Sequence, residues 1–368
     1  MEGSRTIVKT SESILIKLTK LLAVLSGVYA LNWSKKTPGN LILNHLDILV
    51  GLAYIIVNIF NCAKAMRINR NRFLPKILTF AFSISSLGVL LNYLIRRKAS
   101  KQLHLKLEKI QKKNKDKLNL HCSFFIFPIF LLTIITRLYL SVDGLADNFN
   151  IIAHLPVYFN NFIIILECLT IEKQLHILNK GMLKLLNRKA HLKNMLRLFS
   201  KRYAQLVEMT DEMNYCHEYD YLNITLLSML RTVVVMHRSV TTFALNSSSN
   251  TLNLNKEFIL LATIIIGISF LGTFYYSCWC SSLLTEKSKK ALENALRIKV
   301  SLYKYMDDET KLVINAFIKQ LYNKEISMSS LNIFKFNLRM FCTFVENAIT
   351  YIIVALQFSE TNGTKNTR

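Results

Sequence analysis

Two stretches of this sequence carry side chains whose types and spacing could do chemistry. The first is Cys216-His217-Glu218-Tyr219-Asp220, where a thiol, an imidazole and two carboxylates make up the donor set of a metal site or an acid-base centre. Its compactness argues for a structural role instead. Ligands carried on one helix face sit three or four positions apart and need a partner segment elsewhere. The second stretch lies near the C-terminus, where Thr343, Glu346, Thr350, Ile353 and Gln357 recur at steps of three and four among Phe, Ile, Val and Leu. Such a mostly polar stripe on one face of an apolar helix avoids lipid. It either faces water in a pore or hydrogen-bonds to neighbouring helices. In a pore, Glu346 would add negative charge that favours cations, and because one helix cannot enclose a pore the reading demands an oligomer.

Enzymatic motifs are missing from the sequence. It has no Walker loop, no dinucleotide fingerprint, no His-Glu-x-x-His and no serine nucleophile elbow. No enzymatic activity, catalytic residue, metal or cofactor is therefore expected. Broken Gly/Pro-interrupted helices in inverted repeats, the mark of a carrier, are also not visible.

The elements that must position the stripe follow from composition. The 368 residues are 51% apolar and 19% charged, with 10 Gly and 4 Pro, which excludes disordered and collagen-like chains. Windows of about 20 apolar residues, each long enough to cross a bilayer core as a helix, cover 14–33, 41–63, 73–95, 120–142, 151–172, 221–245, 257–284 and 338–358. They show no period-two alternation and no closely spaced turn signals, so the fold class is all-α and polytopic rather than a β-barrel. Lys17 and Lys20 sit one turn apart in the first window, so 14–33 is read as an amphipathic segment at the membrane surface or packed on the bundle. Seven transmembrane helices remain.

The charge of +24 sorts by connection. Lys and Arg number ten in 96–119, nine in 173–220 and ten in 286–337, against none in 143–150, one in 246–256 and two after 358. The positive-inside rule then puts the N-terminus in the cytoplasm and the C-terminus outside. Loop 64–72, with Lys64, Arg67, Arg70 and Arg72, dissents without reversing the total. Lys and Arg in the long connections alternate with Glu208, Asp211, Glu212, Asp307, Asp308 and Glu309, as on a salt-bridged helix surface, so no nucleic-acid partner is expected. Leu175, Leu178, Met182, Leu185 and Leu186 at helical spacing extend the spanning helices into a cytoplasmic layer.

The expected organisation is a cytoplasmic or interfacial segment 1–40 and a six-helix transmembrane bundle 41–284 with cytoplasmic extensions in 173–220. A cytoplasmic assembly region 285–337, a seventh helix 338–358 and an outer tail 359–368 follow. Sequons at Asn246 and Asn362 fall on the outer side and are candidate glycosylation sites. Cys278-Trp279-Cys280 could be lipidated or simply buried.

The end of the last helix reads Thr350-Tyr351, five apolar residues, then Gln357-Phe358. This resembles the signature that closes the last helix of insect gustatory receptors, and Phe317 to Leu321 and Leu331-Asn332-Ile333-Phe334 resemble the looser pattern before it. The resemblance implies a seven-helix, ligand-gated, non-selective cation channel. It would sit in the plasma membrane of sensory neurons as a homotetramer, or as a heteromer with related receptor subunits, and its seventh helices would line the pore. Its partners would be a small-molecule tastant, permeating cations and membrane lipid. The gate would be Gln357 and Phe358, supported by Thr350 and Tyr351. The ligand pocket would open to the outside among the other helices. By position its candidates are Arg137, Tyr139, His154, Tyr158, Asn161, His237 and Arg238, although Arg238 could equally pair with Asp143 or Asp147, and His154 could serve only a helix interface.

Overall fold

Long apolar runs with few Gly and Pro favour long helices. In the computed structural model, residues 21, 23, 24, 27 and 28 and the ranges 45–67, 73–113, 145–186, 191–246, 254–331 and 333–365 are described. Their helices are α1 (Leu46–Arg67), α2 (Phe73–Lys113), α3 (Leu145–Leu186), α4 (Leu192–Asn246), α5 (Leu254–Leu302), α6 (Asp308–Asn323) and α7 (Leu338–Lys365). The expected span 120–142 lies outside the described residues. Within α1, Leu46–Ala63 is long and apolar enough to cross a membrane; every other expected span includes residues whose side chains are outside the description.

Four helices are far longer than a bilayer core. The 41 residues of α2, 42 of α3, 55 of α4 and 49 of α5 reach about 60 to 80 Å at a rise of about 1.5 Å per residue. A hydrocarbon core is only about 30 Å thick. The excess forms the expected helical layer, where the larger hydrophobic core sits. Leu175, Leu178, Met182 and Leu185 of α3 are buried there against Leu196, Phe199 and Tyr203 of α4 and Ala291, Ala295 and Ile298 of α5. Alanines on α5 allow its backbone to come close.

Beyond Leu302 the connection no longer continues the spanning helix. A 3-10 turn at Tyr303–Tyr305 leads to α6, whose Thr310, Ile314, Phe317 and Leu321 recur at helical spacing on the buried face. The Asp307 side chain caps α6 by accepting from the Thr310 N–H at 3.2 Å. A small antiparallel hairpin follows, β1 (Ser329–Ser330) and β2 (Phe334–Lys335), with Ser329 opposite Lys335 and Ser330 opposite Phe334. Polar contacts hold it where helical periodicity gave no hint of it. Ser330 Oγ donates to the Glu218 carbonyl at 2.7 Å, and the Ser329 N–H donates to Asn214 Oδ1 at 3.3 Å, so the hairpin is pinned to α4.

Tyr203 ties three segments together. Its hydroxyl donates to the Lys324 carbonyl at 2.6 Å and lies 2.9 Å from Ser288 Oγ on α5. Ala23, Val24 and Val28 of 14–33 are buried against Val89 and Leu90 of α2 and Phe162 of α3, while Leu21 is exposed. That segment therefore packs on the bundle there. Close approach demands glycine: a Cβ on Gly27, whose φ is +75°, would lie 2.6 Å from Gly51 Cα of α1.

The surface charges pair as the sequence suggested. Lys106 of α2 contacts Glu208 at 3.1 Å and also Glu212 of α4, and Arg197 contacts Glu309 at 2.9 Å. Exposed pairs of this kind contribute about 0 to 1 kcal/mol each. Cys278 and Cys280 are buried, so the Cys-Trp-Cys run carries packed thiols rather than lipid attachment points.

Candidate functional site

The last helix begins firmly anchored. Asn337 Oδ1 accepts from the Met340 N–H at 3.0 Å as an N-cap, and Ser282 Oγ of α5 accepts from the Leu338 N–H at 2.8 Å. Phe344 and Ala348 form the buried face of α7, flanked by the partly buried Phe341 and Val345.

The stripe lies on the other side. Thr343, Glu346, Thr350 and Gln357 are exposed, and Ile353 among them is 51% exposed. Thr350 Oγ1 donates to the Glu346 carbonyl of its own helix at 2.9 Å, so this hydroxyl is satisfied locally. The stripe is thus not buried among the helices of its own chain, and water or a further molecule must meet it. From Ile349 to Gln357 every described side chain is exposed, Tyr351 at 50% included, so the stripe face of α7 is uncovered along this length. Phe358 lies on α7 with its side chain outside the description. Asn362 also lies on α7, because the helix runs on to Lys365 through the expected tail, and Asn246 is the last residue of α4.

Among the pocket candidates, Asn161 is placed inside the bundle. It is buried, and its Oδ1 accepts from Ser277 Oγ of α5 at 2.8 Å. Asn161 lines a small internal cavity with Val157, Ile224, Ser228, Thr273 and Phe274, with room for about one water. His154 and Tyr158 lie on α3, and His237 and Arg238 on α4, with side chains outside the description; Arg137 and Tyr139 lie outside the described residues.

A buried polar chain, unread in the sequence, joins three helices. Glu167 of α3 sits between His104 Nε2 of α2 at 2.5 Å and His217 Nε2 of α4 at 3.0 Å, and His217 Nδ1 meets Asp220 Oδ2 at 3.0 Å. Burial opposes the charge on His217, but the Glu167 and Asp220 carboxylates prevail and raise its pKa to about 10. Part of the Cys216–Asp220 run is thereby accounted for as an ion-pair partner. Among the described residues no His, Cys, Asp and Glu group is arranged to hold a metal. A second buried carboxylate, Asp47 of α1, is gripped bidentately by Arg97, Nε to Oδ2 at 2.6 Å and Nη2 to Oδ1 at 3.0 Å, and accepts from Tyr93 Oη at 2.7 Å. The signal for both was present: Asp47 and Glu167 are acids inside otherwise apolar windows, where ionisable groups are costly and need partners.

The same helices recur in solved structures. The insect olfactory receptor OR5 from Machilis hrabei superposes with a TM-score of 0.72 at 11% identity, over 94% of this chain and 98% of that one. Its complex with eugenol superposes at 0.73 and 12% identity, over 95% and 99%. At such identity the likeness concerns the fold, an all-helical bundle with seven membrane-spanning helices. No curated protein matches the sequence. A family model described as 7tm chemosensory receptor matches residues 13–362, nearly the whole chain including the exposed last helix, and the chain belongs to that chemosensory receptor family.

Proposed function

We propose that the chain is a gustatory receptor, a ligand-gated non-selective cation channel opened by a small extracellular tastant. It works as a homotetramer, or as a heteromer with related subunits, in the plasma membrane of sensory neurons. One observation carries the reading: the polar stripe from Thr343 to Gln357 is exposed on the face of α7 opposite the buried Phe344 and Ala348. Four such helices facing one another would supply the water-lined wall that the stripe requires, with Glu346 favouring cations and Gln357 and Phe358 at the gate. The Thr350-Tyr351 to Gln357-Phe358 signature supports taste rather than smell as the sense served. The relative from Machilis hrabei binds eugenol, a small molecule, and a small ligand among helices α2 to α5 suits this bundle as well.

The reading is tested by expressing the chain in cells lacking such receptors, alone and with related subunits, and recording current while a tastant panel is applied. Ligand-dependent cation current is expected. Verified surface expression with no current under either condition overturns it.

A further inference from the structure

Phe274 of α5 faces two things at once. One side lines the small cavity with Val157 and Asn161 of α3 and Ser228 of α4. On its other side stand three aromatic rings of α7 and its lead-in. The centroid of Phe344 is 5.2 Å away at 72°, that of Phe341 5.7 Å at 51°, and that of Phe336 5.8 Å at 75°. Phe336 in turn stacks on Tyr221 of α4 at 5.3 Å. Phe274 is fully buried, so a displacement of its ring must be taken up by its neighbours.

The contacts on the two sides differ in strength. Edge-to-face aromatic pairs contribute about 0.5 to 1.5 kcal/mol beyond the area they bury. A ring edge beside a void loses dispersion contacts there, so a group entering the void finds a wall that can yield. Phe344 is on the buried face of α7, whose start is held by the Asn337 cap and by Ser282. A push on Phe344 from Phe274 therefore tilts α7 about a fixed base.

We propose that Phe274 is the positioning residue that couples filling of this cavity to the set of α7. As a gating device the proposal rests on the channel reading above. The mechanical coupling from cavity to helix does not require it.

The test uses the full chain in membranes. Ser228→Thr and Val157→Ile each add one methyl group to the cavity, about as much as it can take. Cys342, the described cysteine that is exposed, sits on α7 between Phe341 and Phe344 and reports the set of the helix through its rate of modification by a small methanethiosulfonate reagent. Both cavity variants should change that rate about two- to tenfold, the range that aromatic-pair energies imply. The change should vanish in a Phe274→Leu background, or in Phe344→Leu where Phe274→Leu does not reach the surface. It should persist in Trp279→Leu, whose ring stacks on Tyr276 of its own helix, making it a control for lost aromatic volume.

An unchanged rate in both cavity variants at normal surface level overturns the proposal, as does a shift that survives Phe274→Leu or Phe344→Leu. Parallel current recordings separate the two levels. Cys342 shifts without any current would leave the coupling standing and remove the channel reading. Normal ligand-gated currents with an unresponsive Cys342 would do the reverse.

Discussion

His217 on α4 and Glu167 on α3 meet Nε2 to Oε2 at 3.0 Å inside the bundle, both almost wholly buried. Glu167 also holds His104 of α2, so a single carboxylate organises three helices. Taking charged groups out of water is costly unless each finds a partner. Removing the shared partner should therefore cost more than removing a surface one.

Glu167→Gln is expected to destabilise the detergent-solubilised protein by about 3 kcal/mol, the range for breaking a buried pair. Glu208→Gln, which removes an exposed partner of Lys106, should cost less than about 1 kcal/mol. Thermal melts of the two variants beside the wild type decide it, and equal melting temperatures for the two would count against the buried chain.

The pH dependence has a definite sign. His217 has its pKa raised from 6.5 to about 10 in the folded chain, so the folded state binds this proton more tightly than the unfolded state does. Its stabilisation is fully present below pH 6.5 and is lost as pH rises through about 10. Melting temperature should accordingly fall across that window in the wild type and fall less in His217→Gln. A parallel decline in both would show that His217 does not carry the effect.

Gly27→Ala puts a Cβ 2.6 Å from Gly51 Cα at a φ of +75° and should cost about 2 kcal/mol or more. Gly51→Ala, whose Cβ would meet its nearest neighbour at 3.5 Å, should be tolerated much better. Surface expression and melting temperature of the two single variants are the measurements. If both are lost equally, the contact between the N-terminal segment and α1 is not as close as described.

Along α7, Gln357→Ala or Phe358→Ala should alter gating or unitary conductance at unchanged surface level. Glu346→Gln should lower the preference for cations, read as a shift in reversal potential under a salt gradient. Variants of all three that conduct like the wild type would move the pore away from the stripe.

Helix class and number of spans were legible in the chain itself. Apolar length and the segregation of Lys and Arg are one-dimensional properties, and a bilayer acts on them directly. The 3.6-residue period also revealed that Thr343, Glu346, Thr350, Ile353 and Gln357 share a face, and a nine-residue signature led to the family. Which way that face points was not legible, because a polar stripe satisfies the same periodicity whether it meets water or a neighbouring helix. Tertiary packing decided it by burying Phe344 and Ala348 instead. His104, Glu167 and His217 lie on three helices, and no spacing rule links residues whose contact depends on how those helices cross. The hairpin at Ser329 to Lys335 and the ring of contacts around Phe274 likewise exist only once α4, α5 and α7 are assembled, since their partners are distant in sequence and adjacent in space alone.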